Sequence, residues 1–478
     1  MNIGLRYEYA TPQYLDDNKI SNYDPIGNTL LAAKAGGIYE RSLVHPDKNN
    51  FAPRLGLAYT VNPKTVIRSA YGISYIHFNR MGGENLLAYN LPNIVNPSID
   101  QSPVTAGAAG LALCTSTAQA PGTCFRPTLQ GYPDNFLTLS NVKLINVRVN
   151  YIPSDYKTSY VQNWHFTIQR QLVKNVLLDL AYVGARGNGL MILGDYNQAR
   201  PNTPENLTLQ ARRPIQQFGL IQVAFGGGFL TYHGLQAKVE KRFNQGFYLL
   251  NSFTYSKSLD NASGHLEASN GDNSRVNYRD LRNEKGLSGY DQPFNNTTTF
   301  LYDLPFGKGK RFAAGWNKAT DAILGGWRLS GINTMNSGTP VNLTYSPSAD
   351  FSVSGSPNYR PNLLGNPVLP EANRVSQPSF VQLLNPLTVA PPTDRSQPFG
   401  NAGRNVVRGF GLYQFDMGLH KDFLLTERLK LSFRTEAFNA LNRTNFAVPN
   451  GNRTSGSFGQ INSTYPARQM QFGLKLLF

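Results

Sequence analysis

Six histidines, two cysteines and one glycine-rich stretch are the residues of this 478-residue chain that catalysis or metal binding would use first. A metal centre needs its imidazoles at short, regular spacing, as in H-E-x-x-H on one helical face. His45, His77, His165, His233, His265 and His420 show no such spacing. His165 and His420 sit on the more polar faces of alternating segments, which reads as solvated side chains. No G-x-S-x-G elbow is present to hold a nucleophilic serine. Gly307-Lys-Gly-Lys310 lacks the upstream glycine and the helix of a phosphate-binding loop. Tyr182-Val-Gly-Ala-Arg-Gly-Asn-Gly189 follows a strand, as a dinucleotide loop would. No amphipathic helix follows to aim its N-terminus at a phosphate, so a strand-end turn is expected there. The paired acids Asp16-Asp17 lie in a loop segment with no base or nucleophile beside them. These readings predict no catalysis, no metal and no cofactor. Cys114 and Cys124 stand ten residues apart in a Gly/Ala/Thr/Pro-rich stretch. As an isolated close pair in an exported loop they read as a disulfide closing a small loop, rather than as two unrelated thiols.

The elements that would position such residues are strands. Only 40% of residues are hydrophobic, yet 25 Tyr and 27 Phe are present among 44 Gly and 30 Pro. A disordered chain would lack the aromatics. A helical membrane protein would show apolar runs of about 20 residues, and none occurs. Period-two alternation recurs instead. In Met470-Gln-Phe-Gly-Leu-Lys-Leu-Leu-Phe478, residues Met470, Phe472, Leu474, Leu476 and Phe478 share one face, against Gln471, Gly473 and Lys475. Leu429, Leu431, Phe433 and Ala437 alternate with Lys430, Ser432, Arg434 and Glu436. A turn at Thr426–Arg428 joins that segment to Phe415–Phe423 as a hairpin. A second hairpin turns at Asn244-Gln245-Gly246, between Leu235–Phe243 and Phe247–Ser256. Roughly 12 to 14 strands are expected along the chain.

Very short turns contrast with long polar stretches at about Asp16–Asn50, Met81–Tyr151, Asp260–Gln292 and Pro340–Arg408. Such asymmetry suits a barrel with short periplasmic turns and long extracellular loops. A propeller would show a repeat of about 40–50 residues, and none is seen. The fold class expected is all-β: a transmembrane antiparallel barrel of the outer-membrane type, incomplete, with about 12–14 strands of a larger barrel. Tyr7, Tyr9, Trp164, Tyr182, Tyr255, Tyr302 and Trp327 are candidates for interfacial aromatic girdles, against stacking sites for a sugar or heterocycle. The formal net charge of +16 allows a solvated lumen, an anionic cargo or anionic lipid head groups. Basic residues scattered through strands argue against nucleic acid. The chain starts in a strand, with Ile3, Leu5, Tyr7 and Tyr9 alternating against Gly4, Arg6 and Glu8. No signal peptide is visible. An N-terminally truncated piece of a longer protein, or a misplaced start, is therefore expected.

The terminal strand ending in Phe478 resembles the signal that the outer-membrane barrel assembly machinery recognises, carried by Phe472, Leu474, Leu476 and Phe478. Glu436-Ala-Phe-Asn-Ala-Leu-Asn-Arg-Thr-Asn-Phe446 resembles the penultimate-strand motif of TonB-dependent receptors. So does Gly325-Gly-Trp-Arg-Leu-Ser-Gly-Ile332 followed by Asn336-Ser-Gly-Thr-Pro340. With Phe51–Ala58, Leu235–Phe243 and Leu304-Pro-Phe-Gly-Lys-Gly-Lys310, the ordered set resembles the barrel of the Oar-like branch of that family. The resemblance implies a barrel of about 22 strands around an N-terminal plug. It implies uptake of an extracellular cargo energised through the TonB complex. Residues 1–478 would be the barrel part alone, without signal peptide, plug or TonB box, reaching TonB only through a missing N-terminal part. The partners implied are outer-membrane lipid and lipopolysaccharide, the assembly machinery and an unidentified extracellular cargo. A structural or adhesive outer-membrane protein with long loops, or a passive pore, are the competing functions.

Overall fold

Twelve strands hydrogen-bond in chain order into one antiparallel meander. The computed structural model describes residues 1–77, 86–94, 113–119, 124–134, 136, 144–203, 207–263, 275–354 and 357–478. The strands are β1 (Asn2–Tyr7), β2 (Phe51–Asn62), β3 (Thr65–Ile76), β4 (Ser159–Val173), β5 (Val176–Asp195) and β6 (Ile221–Asn244). They continue as β7 (Phe247–Asp260), β8 (Phe294–Asp303), β9 (Arg328–Asn336), β10 (Leu412–Leu424), β11 (Lys430–Phe438) and β12 (Gln469–Leu477). The path ends with β1 at one edge and β12 at the other, and no pairing joins those two edges.

Alternating direction sorts the connections onto two ends. At the lower end lie residues 63–64, 174–175, 245–246 and 425–429, together with one longer segment, 304–327. At the upper end lie 8–50, 77–158, 196–220, 261–293, 337–411 and 439–468. The 245–246 turn has Gln245 at φ 53° and Gly246 at φ 79°. Both are positive, as a type I′ hairpin turn requires.

Each strand carries an apolar face and a polar face. On the apolar face the register aligns Phe166, Tyr182, Leu235, Tyr255 and Phe294 across β4 to β8. Much of it is covered by nothing else in the chain, with Ile3 at 72% exposure and Phe472 at 70%. Two large rings are fitted by glycine directly opposite. Trp164 lies over Gly184, and Phe300 over Gly331. A Cβ at Gly184 would fall 2.3 Å from the Trp164 ring. Gly184→Val is therefore expected to lift the indole off the sheet, cost about 1–3 kcal/mol and shift the tryptophan emission; an unchanged spectrum and stability would refute the packing.

Two polar exceptions on this face are partnered, while Asn333 Oδ1, opposite Thr298, is buried without a hydrogen-bond partner. The Asn251 amide donates to Asn296 Oδ1 at 2.8 Å and Thr298 Oγ1 at 2.7 Å. Lys421 donates to the Gly325 carbonyl at 2.5 Å, at the end of the short helix Lys318–Leu324. Its ammonium also stands over the rings of Trp327 and Phe423 at 5.3 and 5.0 Å.

The hydrophobic core is not in the membrane-type sheet. Among the described residues, every buried hydrophobic side chain lies in an upper connection or at the upper end of a strand. Ile20, Val44, Leu86, Leu87, Ile152, Met191, Leu193 and Ala224 make one cluster. Val341, Leu343, Leu383, Leu384, Val389, Val407, Phe458 and Ile461 make another. The sequence expectation of long polar stretches is corrected here: the upper connections fold on one another with their own cores and short sheets. A second correction concerns Tyr182–Gly189, expected to be a strand-end turn. It runs through the middle of β5, paired on both sides with β4 and β6.

Candidate functional site

The upper connections form a cap, and its architecture is set by arginines. Three come from the 337–411 connection and grip the 261–293 connection. Arg404 donates to the carbonyls of Asp260 at 2.7 Å and Glu284 at 2.8 Å, to Ser263 Oγ at 2.9 Å, and to the Asp260 carboxylate. Arg360 reaches Glu284 Oε2 at 2.8 Å, the Asn283 carbonyl at 2.8 Å and the Ala402 carbonyl at 3.1 Å. Arg408 pairs with the Asp291 carboxylate and donates to the Asp291 carbonyl at 2.7 Å. A fourth, Arg213, binds Asp195 Oδ2 at 3.1 Å and the Asn197 carbonyl at 2.7 Å. A guanidinium fork holding a carboxylate and carbonyls together satisfies its own protons and fixes two segments at once. Burial pushes the Asp195 carboxyl up, against the hydrogen bond from Ser354 and the charge of Arg213.

Buried asparagines do for other segments what backbone pairing does for strands. Asn22 donates to the Ile152 carbonyl at 2.7 Å, and Asn90 to the Asn150 carbonyl at 2.7 Å. Asn197 caps the carbonyls of Ile215, Phe218 and Gly219 at 2.9 to 3.0 Å. Around them Tyr23 meets Tyr151, Tyr196 and Phe218 with ring centroids 5.3 to 5.6 Å apart. Burial pushes the Tyr23 and Tyr151 hydroxyls up to about 12 each, and raises that of Tyr345 still further. Such tyrosines support the folded cap fully below their ordinary pKa of about 10, and the support is lost as pH climbs from there towards 12. A phenolate absorbance titration is expected to show exposed tyrosines near 10 and a late phase near 12 that coincides with cap opening. A single phase near 10 would refute it.

Below the cap, the polar face of the sheet is a wall of small and charged side chains. Across β1 to β4 it presents Gly4, Arg54, Gly72 and Asn163 in one row, beside a concavity of about 740 Å³. Across β8 to β11 it presents Asp303, Arg328, His420 and Arg434 in another. Arg328 Nε meets Asp303 at 2.6 Å, and Lys430 meets Asp422 at 2.6 Å. Arg434 lies over Gly473. Among the described residues no group of three His, Cys, Asp or Glu is placed to hold a metal.

An exposed apolar face, a polar opposite face and loops gathered at one end of an antiparallel meander suit a wall between lipid and water. A family model described as outer membrane beta barrel domain matches residues 1–471. The chain belongs to that family. Its place is the cell outer membrane, and the apolar face of this outer membrane β-barrel chain is the lipid-facing one. Among solved structures it is similar to the outer membrane transporter YddB from Escherichia coli, at 11% identity and TM-score 0.43, over 90% of this chain and 42% of that one. The siderophore receptor PirA from Acinetobacter baumannii is similar at 11% identity and TM-score 0.40, over 90% and 41%. The FrpB iron transporter from Neisseria meningitidis follows at 11% identity and TM-score 0.38, over 89% and 39%. The chain thus spans well under half the length of these structures. No curated protein matches its sequence.

The residues singled out from sequence fall as follows in the outer membrane β-barrel chain. Phe472, Leu474 and Leu476 lie on the lipid-facing side of β12, and Phe478 follows it, 99% exposed. Tyr7 packs on Phe51 at 5.1 Å and donates to the Lys48 carbonyl at 3.0 Å; Tyr9 lies just above it. Tyr182 of β5 and Tyr255 of β7 share one row, Trp164 of β4 lies in the next, and the Tyr182 hydroxyl is 2.7 Å from His233 Nδ1. Tyr302 and Trp327 sit at the lower end. Tyr302 packs on Phe247 at 5.9 Å, and Trp327 packs edge-on against Phe433 at 5.9 Å. Cys114 and Cys124 are disulfide-bonded within the 77–158 connection, with Cα atoms 5.0 Å apart. His165 and His420 lie on the polar face, and His420 Nε2 is 3.1 Å from Ser330 Oγ. His77 lies 3.1 Å from Glu8, His45 stacks on Tyr39, and His265 is outside the described residues. Sequence reasoning missed the arginine network altogether. Its partners stand up to 144 residues apart, so no local spacing marks them.

Proposed function

We propose that this chain is the barrel portion of an outer-membrane receptor of the TonB-dependent type, with an Oar-like sequence pattern. Its cap meets an extracellular cargo, and the barrel supports the cargo's energised import. The observation that carries this reading is the ordered cap over a polar wall. Loops that merely connect strands need no buried ion pairs, whereas loops that select a cargo gain from being held in one shape. The net charge of +16 favours an anionic cargo. Outer-membrane lipid and lipopolysaccharide would contact the apolar face. The assembly machinery would read β12 through Phe472, Leu474, Leu476 and Phe478. The TonB complex would act through a part of the protein N-terminal to these strands. Tyr7, Tyr9, Trp164, Tyr182, Tyr255, Tyr302 and Trp327 would serve as girdle residues at the two lipid–water interfaces.

A gene-deletion strain and its complemented parent test the reading. Spent medium from each is profiled with and without a protonophore. A compound depleted only by the complemented, energised cells is the expected result. Identical depletion in all four cultures would overturn it.

A further inference from the structure

The cap contains a small cavity beside its first hydrophobic cluster. It lies between the connection after β1 and the connection after β3, with a volume of about 70 Å³. Its apolar part is walled by Leu15, Ile20, Val44, Leu87 and Ile152, space that water, which needs two to four polar partners, uses poorly. The volume equals that of about two waters at liquid density, the size of an isopropyl group.

Polar groups stand along one side of this cavity, and most are already engaged. His77 Nε2 lies 3.1 Å from the Glu8 carboxylate. Asp47 accepts the Thr158 N–H at 2.9 Å. Gln13 is the exception: its Oε1 is buried and has no hydrogen-bond partner. A buried amide oxygen without a donor is a standing deficit in the fold, met when a donor arrives from outside.

We propose that this cavity is a binding site for a branched aliphatic group with an adjacent N–H donor, as in an amino-acid amide or the end of a short peptide. The aliphatic group fills the apolar space. The N–H donates to Gln13 Oε1. The proposal deepens the reading of the cap as cargo-facing and rests on it.

L-valinamide is the probe, with isobutyrate as the control that has the same branched carbons and no N–H. Binding to the full chain in detergent is followed by saturation-transfer NMR and titration calorimetry. Saturable valinamide binding without isobutyrate binding is expected. Gln13→Leu is expected to weaken it at least tenfold, and Val44→Phe, which fills the space, to abolish it. Ala88→Val, a smaller filling at the same cavity, serves where Val44→Phe does not fold, and is expected to weaken binding measurably. No binding by the unaltered chain, or equal binding by Gln13→Leu and the filled variants, would overturn the site. Energised depletion of a different compound by cells would leave the receptor reading standing while this site fails.

Discussion

An Arg404→Ala protein is expected to keep its strands in lipid and lose the order of its cap. The Arg404 side chain is 1% exposed and holds two carbonyls, a serine and the Asp260 carboxylate. Truncation leaves that carboxylate buried without its cation, which costs about 3–5 kcal/mol in comparable buried pairs. The carbonyls of Asp260 and Glu284 lose their donor as well. Lysine is not expected to rescue the change, because one ammonium cannot replace a planar fork that faces several acceptors. Limited proteolysis would show it: cleavage within 261–293 and 337–411 should accelerate, while the lower strands stay protected. Unchanged cleavage would mean that the arginine network is ornamental.

The second large effect is a contrast between two neighbours in β12. Leu474→Arg is expected to destabilise the protein in lipid vesicles, because a cation on the lipid face of a barrel costs from about 0–1 kcal/mol near an interface to about 2–4 kcal/mol at the midplane. Lys475→Arg, one residue on, points to the other face and is expected to be neutral. Leu474 pairs with Phe433 and Lys475 with Ser432, so the two positions share one strand, one partner strand and nearly one depth. Urea unfolding of the two variants in vesicles isolates the face. Equal stabilities would refute the lipid-facing assignment of Phe472, Leu474 and Leu476.

Much of the sheet was legible because lipid on one side and water on the other imprint a period of two. The β10–β11 hairpin, its 425–429 turn and the terminal strand match the alternation read from Phe415 to Phe478. The upper parts of β5 and β6 were not legible. Met191, Ile192 and Leu193 are consecutive and all buried, because both faces of β5 are covered there by the cap. Where both sides are dry, alternation disappears; beside it, the glycines of Tyr182–Gly189 read as a turn although the segment is paired on both edges. The cap itself was legible only as length. Its contacts join Asn22 to Ile152 and Arg212 to Ser352, pairs 130 and 140 residues apart that leave no local pattern.

A core confined to one end has a calorimetric consequence. On melting, the cap returns Tyr23, Phe218, Leu343 and Leu384 from a dry interior to water, and so should add a positive heat-capacity step. The lipid-facing leucines and phenylalanines undergo no such transfer while the strands remain in the bilayer. Heated in vesicles, the molecule should therefore behave as two materials: a globular solid that melts with a heat-capacity signature, and a hydrocarbon-solvated ribbon that passes through the same temperatures without one.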